Sequence, residues 1–260
     1  MAKVSVARKT LLSLLNSLGN TIGDLRLKVN TVEDGQGFLV AAIGYYTHYM
    51  QLSIPCTIES GGGLAVSDVS ALKAFLKSGK IDTVSLQQDG QAKTLYVSCG
   101  NSKVHFPGSG QIASYAHVAA IERILQTTAE NNWTKWGDRD LSCSATINAS
   151  STEEITSIHS ILGENPLYTV DFYPENAEMI VKAGKKSKGR MFVTVPTTNT
   201  KGPEHKCTSV FGANFPINMK ALPEGNLLVH MGDDAPIIFR HEDSGSCLIV
   251  FDCDFEEGWE

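Results

Sequence analysis

The sequence predicts an α+β protein made of two similar units, each with two helices packed on one side of an antiparallel sheet. Three observations point there. Most of the chain reads as short strands separated by Gly, Asp and Asn turns. Only a few segments carry helical spacing, each with one apolar and one polar face. The order of elements in residues 1–106 then returns in residues 141–260, an internal duplication. With 260 residues and 42% apolar side chains, the chain can bury a core as one large domain or two small ones.

Residues 3–6 read as a strand and residues 7–18 as a helix with Leu11, Leu12, Leu14, Leu15 and Leu18 on its apolar face, ended by Gly19. Strands follow at 25–30, 37–43, 48–54 and 63–67, with a hairpin turn at Asp34-Gly35. Asp68 is the expected N-cap of a second helix, 69–78, which Gly79 ends. That helix buries Val69, Leu72, Phe75 and Leu76 and turns Ser70, Lys73 and Lys77 outward. Strands at 83–87, 94–99 and 103–106, with turns at Asp89-Gly90 and Gly100-Asn101, complete the first domain.

Residues 107–140 break the rhythm and form the expected connector. Pro107, Gly108, Ser109 and Gly110 open it. A helix at 114–128 carries Val118, Ile121, Ile124 and Leu125, and a polar turn runs from Asn131 to Asp138. In the second domain, 141–260, a strand at 141–149 precedes a helix opened by a Ser151–Glu154 capping box, faced by Ile155, Ile158, Ile161 and Leu162, and closed by Gly163. Strands at 168–173, 177–183, 190–195 and 207–211, a short helix at 214–222, and strands at 226–231, 236–241 and 247–251 follow.

Charge and motifs exclude several classes. The formal net charge of −6 argues against a surface that grips nucleic acid all over, though a basic stripe on an acidic body remains open. Cys56, Cys99, Cys143, Cys207, Cys247 and Cys253 show no C-x-x-C pair, so reduced, mostly buried thiols are expected. No G-x-S-x-G, H-E-x-x-H, phosphate-loop or dinucleotide signature occurs, and Gly61-Gly62-Gly63 reads as a turn. Asp233-Asp234 reads as a hairpin turn rather than a metal site, and Asp252, Asp254, Glu256 and Glu257 as a solvated acidic tail. The expectation is therefore a non-enzyme without cofactor or metal. The longest near-apolar stretch, 37–46, is far short of the roughly 20 residues that span a bilayer, and the first residues lack a signal-peptide core. A soluble intracellular protein without membrane contact is expected.

The two halves echo each other locally, with "FLVAAIG…MQLSIP" answered by "MIVKAG…MFVTVP". This duplicated order resembles the sliding DNA clamps, a family that includes proliferating-cell nuclear antigen, the T4-type phage clamps and the bacterial beta clamp. The resemblance is carried by "LPEGNLLVHMGDDAPIIFRHEDSGSCLIVFDC" at 222–253 and "GGLAVSDVSALKAFLKSGKIDTVSLQQDGQAKTLYVSCGNSKVHFP" at 62–107. It covers nearly the whole chain outside 107–140.

The resemblance implies a ring of six such domains, hence a homotrimer, with the helices lining the hole. Arg8, Lys9, Lys73, Lys77, Lys80 and Lys220 would then meet duplex DNA without sequence preference. For Lys73 and Lys77 a plain solvated helix face stands beside that reading. The long helix of the second domain departs from the pattern, since Glu153 and Glu154 open it and only His159 could help. Ring closure would pair the strand of Lys103, Val104, His105 and Phe106 with the strand of Met179, Ile180 and Val181 in a neighbouring chain. A partner-peptide pocket would form from Tyr46, His48, Met50, Pro236, Ile237, Val250 and Asp252, with core packing as the alternative for the cluster Tyr45, Tyr46, Tyr49 and Met50. The helix at 114–128 departs from an extended connector and would reshape that pocket. The basic loop 184–190 either touches DNA or a clamp loader, or is a solvated hairpin tip.

The expected function is a processivity factor in DNA replication that encircles duplex DNA and tethers the DNA polymerase and other replication proteins. Its expected location is with replicating DNA inside the cell. Two alternatives remain open at this point. One is a clamp-fold subunit that binds DNA from one basic face as a monomer or dimer, and the other is an interaction module with no DNA role.

Overall fold

Alternation along the first strand sets the inner face of the first sheet. β1 (Ala2–Ala7) buries Ala2, Val4 and Val6 and runs directly into α1 (Arg8–Ser17), which buries Leu11, Leu14 and Leu15 at helical spacing. The computed structural model describes residues 2–19, 25–33, 35–88, 94–107, 114–162, 166–185 and 189–253. The turns expected at Asp34-Gly35 and Asp89-Gly90, the linker opening after Pro107 and the stop at Gly163 fall wholly or partly outside them. So do the tip of the basic loop and the acidic run from Asp254.

The chain divides into two units, Met1–Ile43 with Gln51–Val118 and Gly44–Met50 with Ala119–Glu260. In unit 1, β2 (Leu25–Glu33) pairs with β3 (Gln36–Gly44), ahead of the long β4 (His48–Ser60), and with β5 (Gly63–Val66). α2 (Val69–Ser78) starts where its cap predicts. Asp68 has extended backbone, and its Oδ1 accepts from the Ala71 N–H at 2.8 Å. β6 (Thr83–Gln88), β7 (Thr94–Cys99) and β8 (Ser102–Pro107) follow as a meander, giving the antiparallel order β4-β1-β6-β7-β8.

A helix stands where one was expected at 114–128, α3 (Ser114–Glu130), with the division between the units falling inside it after Val118. Its buried face is Val118, Ile121 and Thr128. Ile124, expected on that face, is exposed. A small hairpin that the sequence reading missed follows, β9 (Lys135–Trp136) with β10 (Arg139–Asp140), turning at Gly137 with φ +62°. Trp133 stacks on His230 at 5.6 Å, and the Arg240 guanidinium lies 3.7 Å from its ring centroid.

Unit 2 continues with β11 (Cys143–Asn148), α4 (Ser151–Leu162), β12 (Tyr168–Tyr173), β13 (Glu178–Lys185), β14 (Gly189–Pro196) and β15 (Thr198–Lys201). β16 (Cys207–Phe211), α5 (Asn214–Met219), β17 (Asn226–Met231), β18 (Ile237–His241) and β19 (Cys247–Val250) complete it. Two antiparallel sheets result, β15-β11-β17-β18-β19 and β14-β13-β12-β16. α4 packs on β11, β13 and β14 and against α5. Its start is held by Asn148, whose Oδ1 accepts from the Ser150 N–H at 2.9 Å, and Ser151 is the first residue of the helix. α5 stops short of the expected end at 222. Phe215 anchors it, packed against Phe211 at 5.2 Å, Tyr168 at 5.8 Å and Phe239 at 6.2 Å. The segment Gly44–Met50 joins unit 2, where the Phe251 N–H donates to the Thr47 carbonyl at 3.0 Å.

One cysteine expectation is corrected. Cys143, opening β11, and Cys207, opening β16, form a disulfide across 64 residues, because the two strands bring these buried thiols side by side. Cys56, Cys99 and Cys247 are free and buried.

Candidate functional site

Arg8 is the first residue of α1, where a cation opposes the helix's own dipole. Its partner is the other helix. Nη1 donates to the Leu76 carbonyl at 2.8 Å and Nε to the Ile81 carbonyl at 2.9 Å, at and just past the end of α2. Lys73 does the reverse. It is buried in α2, and its Nζ donates at 2.9 Å to the Gly19 carbonyl just past the end of α1. Each helix thus supplies a cation that caps the other's C-terminal end, which holds the pair antiparallel. Burial, with Lys77 nearby, lowers the Lys73 ammonium below its ordinary value. The outward orientation expected for Lys73 is therefore corrected, because its ammonium is drawn inward to an orphan carbonyl.

Lys9, Lys77 and Lys80 are exposed. Because the start of α1 abuts the end of α2, all three gather at one end of the helix pair, where the C-terminal pole of α2 favours positive charge. In unit 2, an open groove of about 890 Å³ runs between the start of α4 and the end of α5. Glu153, Glu224 and Lys220 line it with Ser150, Thr152, Thr156 and Ser157. Thr152 and Thr156 turn their hydroxyls onto the carbonyls of Ala149 at 2.6 Å and Glu153 at 2.9 Å. Lys220, Glu153, Glu154 and Glu224 are all exposed.

The seven residues expected to form a peptide pocket all lie in unit 2 and do not share one surface. Tyr46 is 92% exposed and Tyr45 partly so. Met50, Pro236, Ile237 and Val250 are buried, so core packing holds for them. His48 is buried beside Thr47 Oγ1 at 3.0 Å, and burial pulls its imidazole down to about 4. Asp252 pairs with Arg139, which also donates to the Asp234 carbonyl at 2.7 Å. As a pocket, only the Tyr45–Tyr46 end is open to a partner.

The strand edges also differ from expectation. β8, with Lys103 and His105 exposed and Phe106 buried, ends its sheet as expected. The strand of Met179, Ile180 and Val181 does not. It is β13, paired to β12 on one side and β14 on the other along its length, so no edge is left for a neighbour. The edge belongs to β14, whose Phe192 is 71% exposed. The cue in the sequence is "GRMFVTVP", an alternating run closed by a proline of the sort edge strands tolerate.

No protein-family model matches the chain, and no curated protein does. Solved structures do match. One is the PCNA of A. fulgidus, solved with the C-terminal region of FEN-1 bound. It superposes with a TM-score of 0.67 at 13% identity over 99% of this chain and 100% of its own. The chain has the sliding-clamp fold. The sliding clamp of Caulobacter crescentus (TM-score 0.68, 13% identity) is matched over 97% of this chain and 65% of the clamp. The Helicobacter pylori beta clamp bound to a DNA ligase peptide (0.67, 12%) is matched over 98% of this chain and 68% of the clamp. This chain thus spans about two thirds of the bacterial clamps and the full length of the archaeal one.

Proposed function

We propose that the protein is a non-enzymatic sliding clamp, a ring of three chains that encircles duplex DNA and tethers the replicative DNA polymerase. The observation that carries this reading is the whole-chain match to a clamp of the same length, with two clamp units per chain. A further support is that β8 in unit 1 and β14 in unit 2 each lie at the end of a sheet, as β15 and β16 also do among the described residues. Pairing between chains would close the β8 and β14 edges. In a ring, Lys9, Lys77 and Lys80 meet phosphate, and a polymerase held by even a weak contact stays at high effective concentration.

Two relatives of this fold carry a FEN-1 region and a ligase peptide, which supports a partner-peptide site here, at the exposed Tyr45–Tyr46 end. Other replication proteins and a loader that opens the ring are further partners of this reading, and its place is with replicating DNA. No helix among the described residues is long and apolar enough to cross a membrane. The acidic start of α4 favours a second reading, a subunit that binds DNA from the unit 1 face alone without closing a ring.

Light scattering over a concentration series separates the two. The ring gives a mass of three 28.1 kDa chains and retention on circular but not linear duplex. A mass that stays at one chain at all concentrations overturns the ring.

A further inference from the structure

The six cations of the clamp reading do not play equal parts. Arg8 and Lys73 are tied to main-chain carbonyls at or just past the end of the opposite helix. Moving either onto a phosphate would strand the part-buried Leu76 or Gly19 carbonyl, a loss of about 1–3 kcal/mol for the group left unpaired. Arg8 also fills the space beside Gly79, where an added Cβ would lie 3.1 Å from its Cδ. That close approach holds the start of α1 against the end of α2.

Among the described residues, the α4–α5 face of unit 2 has no such cluster, and the basic run 184–190 lies apart from it, between β13 and β14. Glu153 and Glu224 line the groove between α4 and α5 against the single cation Lys220, and Glu154 is exposed next to Glu153. The α4 sequence STEEITSIHSIL holds no Lys or Arg. Phosphate at this surface would meet net negative charge.

Resting on the reading that the helix faces meet duplex DNA, we infer that the grip on DNA is lopsided within each chain. The end cluster Lys9, Lys77 and Lys80 of unit 1 takes the phosphates, Arg8 and Lys73 are positioning residues that hold the cluster together, and the α4–α5 groove of unit 2 repels the backbone. Each chain then contributes about three phosphate contacts from one unit, and the acidic surface keeps the contact loose enough to slide.

The salt dependence of binding to duplex DNA tests this with the full chain. Each phosphate contact contributes about 0.9 to the slope of log affinity against log salt. Lys77→Ala and Lys9→Ala each lower the slope by about that amount with an unchanged melting midpoint. Lys73→Met lowers the midpoint and leaves the slope, and Lys73→Arg restores the midpoint. The triple variant Glu153→Gln, Glu154→Gln and Glu224→Gln binds at least about threefold more tightly at low salt.

The inference is overturned if Lys73→Met lowers the slope and spares the midpoint, if Lys220→Ala costs as much slope as Lys77→Ala, or if the Gln variants bind no better. Wild-type protein that neither binds duplex at about 50 mM salt nor is retained on circular duplex overturns the DNA reading itself, and this inference with it. A normal wild-type slope that Lys77→Ala leaves unchanged overturns the lopsided grip alone.

Discussion

In unit 1 the helix pair is braced by charge, with Arg8 on the end of α2 and Lys73 on the end of α1. In unit 2 the pair rests on an aromatic anchor. Phe215 of the six-residue α5 is wedged among Phe211, Tyr168 and Phe239, and α4 lies against α5. A cation used as a brace is withdrawn from the surface, whereas a buried phenyl ring withdraws nothing. Yet the braced unit keeps a basic cluster and the anchored unit presents glutamates. The charge of each helix face is therefore not a by-product of how the helices are held. The two units have diverged in packing and in surface independently.

Unit-resolved hydrogen exchange can break this comparison. The largest expected effect is Phe215→Ala, which removes the anchor of α5 and destabilises unit 2 by up to about 5 kcal/mol, with unit 1 unaffected. Equal loss of protection in both units would show that they do not unfold separately. Next is reduction of Cys143–Cys207. Opening a loop of this length lowers the stability of unit 2 by about 4 kcal/mol on chain-entropy grounds. Identical denaturant midpoints with and without reductant would remove the disulfide from the picture.

Acid sharpens the contrast further, because the buried histidines His48 and His230 both belong to unit 2 and both are lowered to about 4. Their folded values lie below the unfolded one, so the unfolded chain takes up protons first. Stability is full above about pH 6.5 and falls as the pH drops toward 4, by about 3 kcal/mol per histidine at most. Asp171 extends the trend. Burial alone would raise it, but hydrogen bonds from Lys182 and Thr208, with the charges of Lys182 and Lys206, hold it below its usual range. Its contribution is present above the ordinary carboxylate value and is lost as the pH falls below it. A unit 2 midpoint that stays flat from pH 7 to 4 would contradict the histidine assignments, and one that stays flat below pH 4 the Asp171 assignment. The smallest effect is in unit 1, where Asp68→Ala removes the α2 cap at a cost of about 1 kcal/mol, read as faster exchange in the first turn of α2.

Where local chemistry decides, the sequence was legible. Asp68 and Gly79 bracket α2 with a cap and a stop, so this element stands where expected, as do the strands at 168–173 and 207–211. Pairing decided what the sequence left hidden. β13 and β14 alternate equally well, and only their neighbours make one central and the other an edge. Lys73 and Lys77 sit four residues apart on one polar stripe, and nothing local says that the Gly19 carbonyl awaits the first. Cys143 and Cys207 share no spacing motif across their 64 residues. His48, Tyr49 and Met50 are buried in succession, which an alternating strand with one wet face would not allow.

The indole of Trp133, in contact with both His230 and the Arg240 guanidinium, gives the connector a built-in optical probe. Trp133 and Trp136 are two of the chain's three tryptophans and lie three residues apart in the same turn, so the change in emission left after Trp259→Phe reports on that stretch of chain. An event that lifts the turn from β17 and β18 would expose the indole to water and shift its emission to the red. Binding of a partner could then be followed in the unlabelled protein.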